Sequence, residues 1–300
     1  MREQKTWTIG RLLKVTSEYL KQKGIEGSRL SAEVLLAYLL NLTRIQLYLE
    51  FDRPLDEDEV SGYRALIKRR LNREPLQYIT GVQEFWSLDF SVGPQVLVPR
   101  PESEVLVEGA LSLLARGVVP HGEQPRVLDL CTGSGALAVA LAGEVRNGLF
   151  WASDVEEGAL HFAKSNASRH GVEKRVQFLI GDLWGPVRDR GLVFDLILSN
   201  PPYIRSDAVE TLCPEVAYEP RSALDGGEDG MFYIRKILLE GPAYLDPGGW
   251  ILVEMDPEQT AEALRLMEQT GLYASWERIK DYSHRYRVVM GRKHGDPRER

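Results

Sequence analysis

The sequence predicts an α/β protein: a doubly wound, mostly parallel sheet with an antiparallel strand at one end, preceded by a small all-α domain. Three observations carry that prediction. From Arg126 onward, apolar runs of strand length alternate with helical or long connecting stretches, as a parallel sheet requires. Over the first 72 residues the periodicity is that of helices. A chain of 300 residues is too long for one small core and suits two domains, one of about 80 residues and one nearer ~200.

The helical part comes first. Ile9, Leu12, Leu13, Thr16 and Leu20 share one helical face, and Gly24 stops that helix. A second helix runs from Ser31 through AEVLLAYLL, and a short third follows Thr43. The fourth opens on Asp56 as a cap with Glu59 three residues on, then sets Val60, Tyr63, Ile67 and Leu71 on one face. Its last turn, KRRLNR, is basic, which the helix dipole favours, and reads as a solvated face rather than a phosphate-binding patch. Residues 1–74 are assigned to this bundle.

From Pro75 the composition shifts to aromatic and β-branched residues broken by Gly81 and Gly93, so residues 75–100 read as a hairpin or extended connector rather than a helix. A helix, SEVLVEGALSLLARG, follows Glu102. Strands are then expected at RVLDL from Arg126, LFWASDV from Leu149, RVQFLIGD from Arg175, FDLILSN from Phe194, WILVEM from Trp250, ASWERIK from Ala274 and YRVVMGR from Tyr286. The last two are close enough to form a hairpin. This domain spans residues 101–293, and residues 294–300 read as a frayed tail.

Composition narrows the classes without excluding nucleic acid as a partner. Hydrophobic content of 43% with 27% charged residues is that of a soluble globular protein, and the formal net charge of −7 gives no general attraction to nucleic acid. Cys131 and Cys213 have no spaced partners, which fits a reducing compartment without disulfides. The five histidines show no ligand spacing, so no metal site is expected. With neither an apolar signal segment nor a membrane span in the sequence, a cytoplasmic location is the default.

The segment VLDLCTGSGALAVALA is a strand, a glycine-bearing turn and a helix start, in which Gly133 and Gly135 allow a tight turn and close approach of a ligand. Asp129 lies at the end of that strand, Asp154 closes the next and Asp182 the third, so three strands deliver carboxylates to the edge where open α/β sheets bind ligands. Asp154, about 20 positions after the glycines, is placed for two ribose hydroxyls. Asp129 would repel a pyrophosphate but attract an ammonium and a sulfonium, which selects S-adenosylmethionine over NAD.

The fourth strand ends in NPPY, Asn200 to Tyr203. Proline supplies no N–H, so this is a poor way to continue a strand and a good way to fix acceptors. The side-chain oxygen of Asn200 and the carbonyl of Pro201 can hold the two hydrogens of a planar NH₂ group, and Tyr203 offers a flat face to it. An amide or aromatic amine nitrogen is a poor nucleophile. Two acceptors on its hydrogens push density back to nitrogen and aim it at a methyl group, so orientation and electrostatics suffice without a catalytic histidine or metal.

Taken in order, REPLQYITG (Arg73 to Gly81), VLVPRPESEVLVE (Val96 to Glu108), NPPYI and YEPRSALDGGEDG (Tyr218 to Gly230) resemble the release factor glutamine methyltransferase family, often called PrmC or HemK. The resemblance covers nearly the whole chain. It implies a Rossmann-like class I methyltransferase domain that transfers a methyl group from S-adenosylmethionine to the glutamine side-chain nitrogen in the Gly-Gly-Gln motif of peptide-chain release factors. It further implies that Cys131, Thr132, Gly133, Ser134 and Gly135 form the cofactor turn, with Asp129 and Asn200 also on the cofactor side. Asp154 would bind ribose, Asp182 with Leu183 would lie near adenine, and Asn200, Pro201, Pro202 and Tyr203 would hold the glutamine. The helical domain would contact the release factor.

Three departures stand out. Cys131 occupies the usual first glycine position, Asp256 and Pro257 follow Glu254 where a glycine is expected, and His284, Arg285 and Tyr286 stand where the family has Gly, an apolar residue and Asp. Being small, Cys131 is expected to change little. Alternatives are a glutamine methyltransferase of a ribosomal protein, an amino methyltransferase of DNA or RNA, and a nucleoside-binding regulator, which would need the turn and Asp154 but not NPPY.

Overall fold

The computed structural model describes residues 6–121 and 123–295. The end of the expected tail, residues 296–300, lies outside the described residues. The chain forms two compact units, one running up to Gly81 and taking in Cys213–Tyr218, the other made of Val82–Leu212 and Glu219 onward.

The first unit is helical: α1 Ile9–Gln22, α2 Ser28–Leu40, α3 Arg44–Leu49, α4 Glu57–Leu71 and α5 Leu76–Thr80. The Thr8 side chain caps α1, whose expected apolar face is buried. Thr43 with Gln46 and Asp56 with Glu59 form reciprocal capping boxes at α3 and α4, each cap contributing about 1 kcal/mol. Helix α2 begins three residues before the expected Ser31, because Gly27 in the left-handed region turns the chain there.

Two expectations are corrected here. LQYIT is helical rather than extended: Pro75 is itself extended (ψ 139°) and starts the turn, and Gly81 (φ 76°) ends it. The basic end of α4 is not a solvated face, since Arg70 is buried and its Nη1 lies 2.9 Å from Glu215 Oε1. Arg69 pairs with Glu74, and Arg73 donates to Gly24 O at 2.9 Å.

The second unit opens with a hairpin, β1 Val82–Phe85 and β2 Leu88–Ser91. Trp86 and Ser87 both take positive φ (53° and 56°), as a two-residue type I′ turn demands, although neither is glycine or asparagine. Trp86 is held by donating from its backbone N to Glu104 Oε1 (2.8 Å) and from Nε1 to Glu144 Oε1 (2.9 Å).

Then come α6 Glu104–Ala115, β3 Arg126–Leu130, α7 Ala136–Glu144, β4 Leu149–Asp154, α8 Glu157–Arg169, β5 Val176–Ile180, α9 Gly185–Arg188, β6 Phe194–Ser199 and α10 Ser206–Val209. These are followed by α11 Phe232–Glu240, β7 Leu245–Glu254, α12 Thr260–Thr270, β8 Tyr273–Lys280 and β9 Tyr286–Lys293. The seven strands run in the order β5-β4-β3-β6-β7-β9-β8. The first five are parallel, and β9 is antiparallel to both of its neighbours, one strand in from the edge. Strand β7 starts five residues before the expected Trp250: a register irregularity opposite Phe194 absorbs DPGG, and Gly249 lies where a Cβ would meet backbone oxygens of Phe194 and Asp195.

Side chains alternate across the sheet. Gly109 on α6 abuts Leu252, whereas Gly241, at the end of α11, abuts Ile251, the next residue along β7 and hence the opposite face. Ile234, Ile237 and Leu238 of α11 and Ala263 and Met267 of α12 pack with Leu128, Leu130, Ile197, Ile251 and Val253 on that second face. Among the described residues, no helix is long and apolar enough to cross a membrane.

Candidate active site

Strand β3 has β4 on one side and β6 on the other, so the winding direction reverses between β3 and β6. Ligands of open α/β sheets bind outside the carboxyl ends of the strands at such a reversal. Leu130 is level with Ser199, so the Cys131 turn and Asn200 leave the sheet side by side. Ser199 Oγ donates to Leu130 O (2.7 Å) and ties the two ends together.

The turn is held by carboxylates. Asp129 Oδ2 accepts from Thr132 Oγ1 (2.5 Å) and from Ala138 N (3.1 Å) in the first turn of α7. Asp154 Oδ2 accepts from Gly133 N (2.9 Å) and its Oδ1 from Glu156 N (3.0 Å), leaving further lone pairs on both oxygens. Gly135 is required twice over, by φ 81° and by Ala163, whose Cβ would lie 3.0 Å from an added Cβ. A Cβ on Gly133 would meet nothing within 4 Å, so its peptide faces open space.

Cys131, Thr132, Gly133, Ser134, Asp154, Asp182, Leu183, Asn200 and Pro202 line one cavity of about 350 Å³. Asp129, Gly135, Pro201 and Tyr203 are not on its wall. Asp129 acts one layer back, through Thr132 and α7. The Tyr203 ring packs against the sheet core, with its hydroxyl 3.4 Å from Glu254 Oε1 and its carbonyl accepting from Gln259 Nε2 at 2.8 Å.

Burial dominates the electrostatics. It pushes the Asp129 carboxyl up to about 7 against the pull of Thr132 and Ala138, raises Asp154, and pushes the Cys131 thiol far above its ordinary range. Desolvated carboxyls thus stand on the cavity wall at Asp154 and one layer behind it at Asp129, and a cation bound there would relieve them. Ser153 is also on the wall, and its Oγ is buried with no hydrogen-bond partner among the described residues.

Asn200 donates from Nδ2 to Ser103 Oγ (2.9 Å), which directs its Oδ1 away from Ser103 and leaves it to the cavity. Among the described residues nothing donates to the Pro201 carbonyl. The loop is braced from behind: Ile204 N donates to Leu224 O (2.9 Å), Gly226 N to Ile204 O (2.7 Å), and a Cβ on Gly226 would come within 2.8 Å of Pro202 O.

Ser103, Glu219 and Glu254 also hold this region together, although the sequence alone assigns them no role. Each sits in or beside a quoted motif, which is the signal that could have found them. Glu219 accepts from Val98 N (2.9 Å) and pairs with Arg100, so VLVPRPE and YEPR are tied to each other. Of the departures, Cys131 matters more than its size suggests, because it takes φ 63° where glycine would be unstrained. His284 is likewise at φ 60°. Asp256 and Pro257 open α12, with Asp256 N donating to Gln259 Oε1 (3.0 Å) and Glu258 N to Asp256 Oδ1 (2.9 Å). At the opposite edge of the sheet, His121 Nδ1 lies 2.9 Å from Asp195 Oδ1 and 3.6 Å from Asp246 Oδ2, a grouping that sequence spacing does not reveal.

Comparisons with known proteins show which family the chain resembles. Residues 11–81 match the PrmC N-terminal domain and residues 106–234 the methyltransferase small domain. A release factor glutamine methyltransferase of Geobacter sulfurreducens is 45% identical, covering 95% of this chain and 97% of its own. One from Chlorobaculum tepidum is 39% identical, covering 94% and 96%. Among solved structures, the hMettl16 catalytic domain matches with TM-score 0.57 at 13% identity over 75% of this chain and 81% of its own, a likeness of fold alone. By its helical unit, its methyltransferase sheet and its similarity to these relatives along nearly the whole length, the chain belongs to the release factor glutamine methyltransferase family.

Proposed function

We propose that this enzyme methylates the side-chain amide nitrogen of the glutamine in the Gly-Gly-Gln motif of peptide-chain release factors, with S-adenosylmethionine as methyl donor. The observation that carries the reading is Asn200, on the cavity wall, held by Ser103 through its amide nitrogen so that its Oδ1 is left free; the next residue, Pro201, lies off that wall with a carbonyl that nothing engages among the described residues. Two acceptors in that relation suit one planar NH₂ group. The names of the relatives supply the substrate: they act on release factors.

S-adenosylmethionine supplies a methyl group on a sulfonium. The residues do the rest. Asp154 would take the ribose hydroxyls, the Gly133 peptide would permit close approach, and Asp182 with Leu183 would border the adenine. Asn200 and Pro201 orient the amide nitrogen so that its lone pair faces the methyl carbon. As the N–C bond forms and the C–S bond breaks, one amide proton is released to a neighbouring acceptor or to water, leaving a neutral methylated amide and a neutral thioether. The gain comes from orientation and from acceptors placed before the reaction begins.

The helical unit docks the release factor, no nucleic acid is contacted directly, and the work is done in the cytoplasm, where translation terminates. The deciding experiment incubates the protein with methyl-labelled S-adenosylmethionine and, separately, unmodified release factor, ribosomal protein or DNA, then maps the label by mass spectrometry. Label on the Gly-Gly-Gln glutamine is the expected result; label on DNA, or none on the release factor, overturns it.

A further inference from the structure

Asn166, on α8, is 0% exposed, and its side-chain amide is given over to backbone groups of two distant segments. Its Nδ2 donates to Ser134 O in the glycine-bearing turn (2.9 Å) and to Ser91 O at the end of β2 (3.1 Å), and its Oδ1 accepts from Ser91 N (2.7 Å). A flipped amide would set its oxygen against two carbonyls and its NH₂ against an N–H, so this orientation alone satisfies all three bonds.

Helix α8 is shaped to receive both segments. On the turn side, a Cβ at Gly135 would lie 3.0 Å from Ala163 Cβ, and that close approach brings Ser134 O within reach of Asn166, three residues further along the helix and on the same face. On the other side, Asn166, Phe162 and Gly158 recur every four residues and so form one stripe. Ser91 bonds the first, a Cβ at Gly93 would come within 2.8 Å of the ring of the second, and a Cβ at the third would come within 2.7 Å of the Gln95 amide. Residues 91–95 therefore run along α8. The chain continues as the wall of the cavity at Gln95, Val96, Leu97 and Pro99, and Ser134 lies on the wall of that same cavity.

We propose that Asn166 is a positioning residue for S-adenosylmethionine: it fastens the cofactor turn at Ser134 and the wall segment that begins at Ser91 to one point of α8, so that two sides of the cavity keep the spacing the cofactor needs. The proposal rests on the reading of this cavity as the S-adenosylmethionine site. Asn166 is not itself on the wall; it acts through Ser134, which is.

Without this amide, three backbone groups lose their partner, and the two segments must either bury them unpaired or part to reach water. The substrate loop is held by other bonds, from Asn200 to Ser103 and from Ile204 to Leu224. Loss of Asn166 is therefore felt in cofactor affinity rather than in the methyl-transfer step.

The test sets calorimetry of S-adenosylmethionine binding to the full chain at about 20 °C, well below the melting range of an ordinary domain, beside kcat and KM measured with unmodified release factor. Two variants are compared: Asn166→Ala, and the near-isosteric Asn166→Asp, which keeps an acceptor for Ser91 N and loses the donors to Ser134 O and Ser91 O. Each is expected to weaken cofactor affinity by about tenfold or more, with kcat at saturating cofactor within about threefold of wild type. An asparagine with a merely structural role would lower Tm and leave the affinity of the folded protein unchanged, and that result overturns the proposal; so does a loss confined to kcat. A third measurement needs no variant. Amide exchange at Ser91, a residue off the cavity wall, is expected to slow by about threefold or more in the wild type when S-adenosylmethionine binds, and an unaltered rate overturns the proposal. A wild type that binds no S-adenosylmethionine overturns instead the reading of the cavity itself.

Discussion

The amide of Asn200 donates to Ser103 Oγ across 2.9 Å, although the two residues are 97 positions apart. That bond fixes which end of a symmetric-looking amide meets the cavity. A side chain free to flip would spend half its time presenting a donor where an acceptor is needed.

Removing that acceptor tests the site most directly. Asn200→Ala is expected to bind S-adenosylmethionine within about threefold of wild type and to lose about 100-fold or more in kcat, since the interaction is strongest where charge develops. Calorimetry of cofactor binding beside single-turnover kinetics separates the two effects, and a variant defective in both would point to a collapsed turn instead.

Asp154 should show the reverse pattern. It holds Gly133 N at 2.9 Å and borders the cavity, so Asp154→Ala is expected to weaken cofactor affinity by roughly 10- to 100-fold while KM for the release factor stays constant. Equilibrium dialysis against labelled cofactor reads the first quantity; unaltered cofactor affinity would remove Asp154 from the binding set.

Asp129 makes a prediction about pH. Its folded-state value, about 7, lies above the ordinary 3.8, so the native state holds more protons than the unfolded chain between those values. That contribution to stability is complete below about pH 4, falls as pH rises to about 7, and is then constant, at up to ~1.4 kcal/mol per unit. Asp129→Asn keeps an acceptor for Thr132 and Ala138 but cannot titrate. Urea unfolding of the variant is expected to decline less with pH across that window than the wild type; equal slopes would mean that the carboxyl is not held up by burial.

Ser87 offers a stabilising substitution far from the chemistry. It is exposed at φ 56° in the β1–β2 turn and makes no side-chain hydrogen bond among the described residues. Ser87→Gly is expected to raise stability by about 0.5–1 kcal/mol, the left-handed penalty outweighing the added freedom of glycine in the unfolded chain. For a chain of this size that is a rise of ~1–3 °C in Tm. A lower Tm would show that the serine is not strained.

Local chemistry made much of this legible. The capping box at Asp56 announced a helix start because both of its partners lie within four residues of each other, whereas the box at Thr43 and Gln46 is a finding of the structure. The glycine turn and the strand-closing Asp154 announced the binding edge because alternation of strands and helices fixes where strand ends gather. What stayed hidden depends on distant partners. Nothing local makes LQYIT a helix except its flanking Pro75 and Gly81, and nothing local says that Arg70 will meet Glu215. The Tyr203 ring was expected against the substrate, yet the hydroxyl has a partner in Glu254 that only the folded sheet brings within reach. Ser103 was inside a recognised motif, but its task depends on an asparagine almost 100 residues later.

The six residues Cys213–Tyr218 have a consequence for anyone wishing to divide this protein. They belong to the helical unit, yet they are encoded inside the stretch that forms the sheet. No single cut in the polypeptide therefore yields two intact halves. A fragment ending at Gly81 would keep Arg70 and lose Glu215, its carboxylate partner at 2.9 Å. A recombinant helical unit needs those six residues grafted back, and moving the termini by circular permutation would not help, because each unit is made of two segments that alternate around the closed chain.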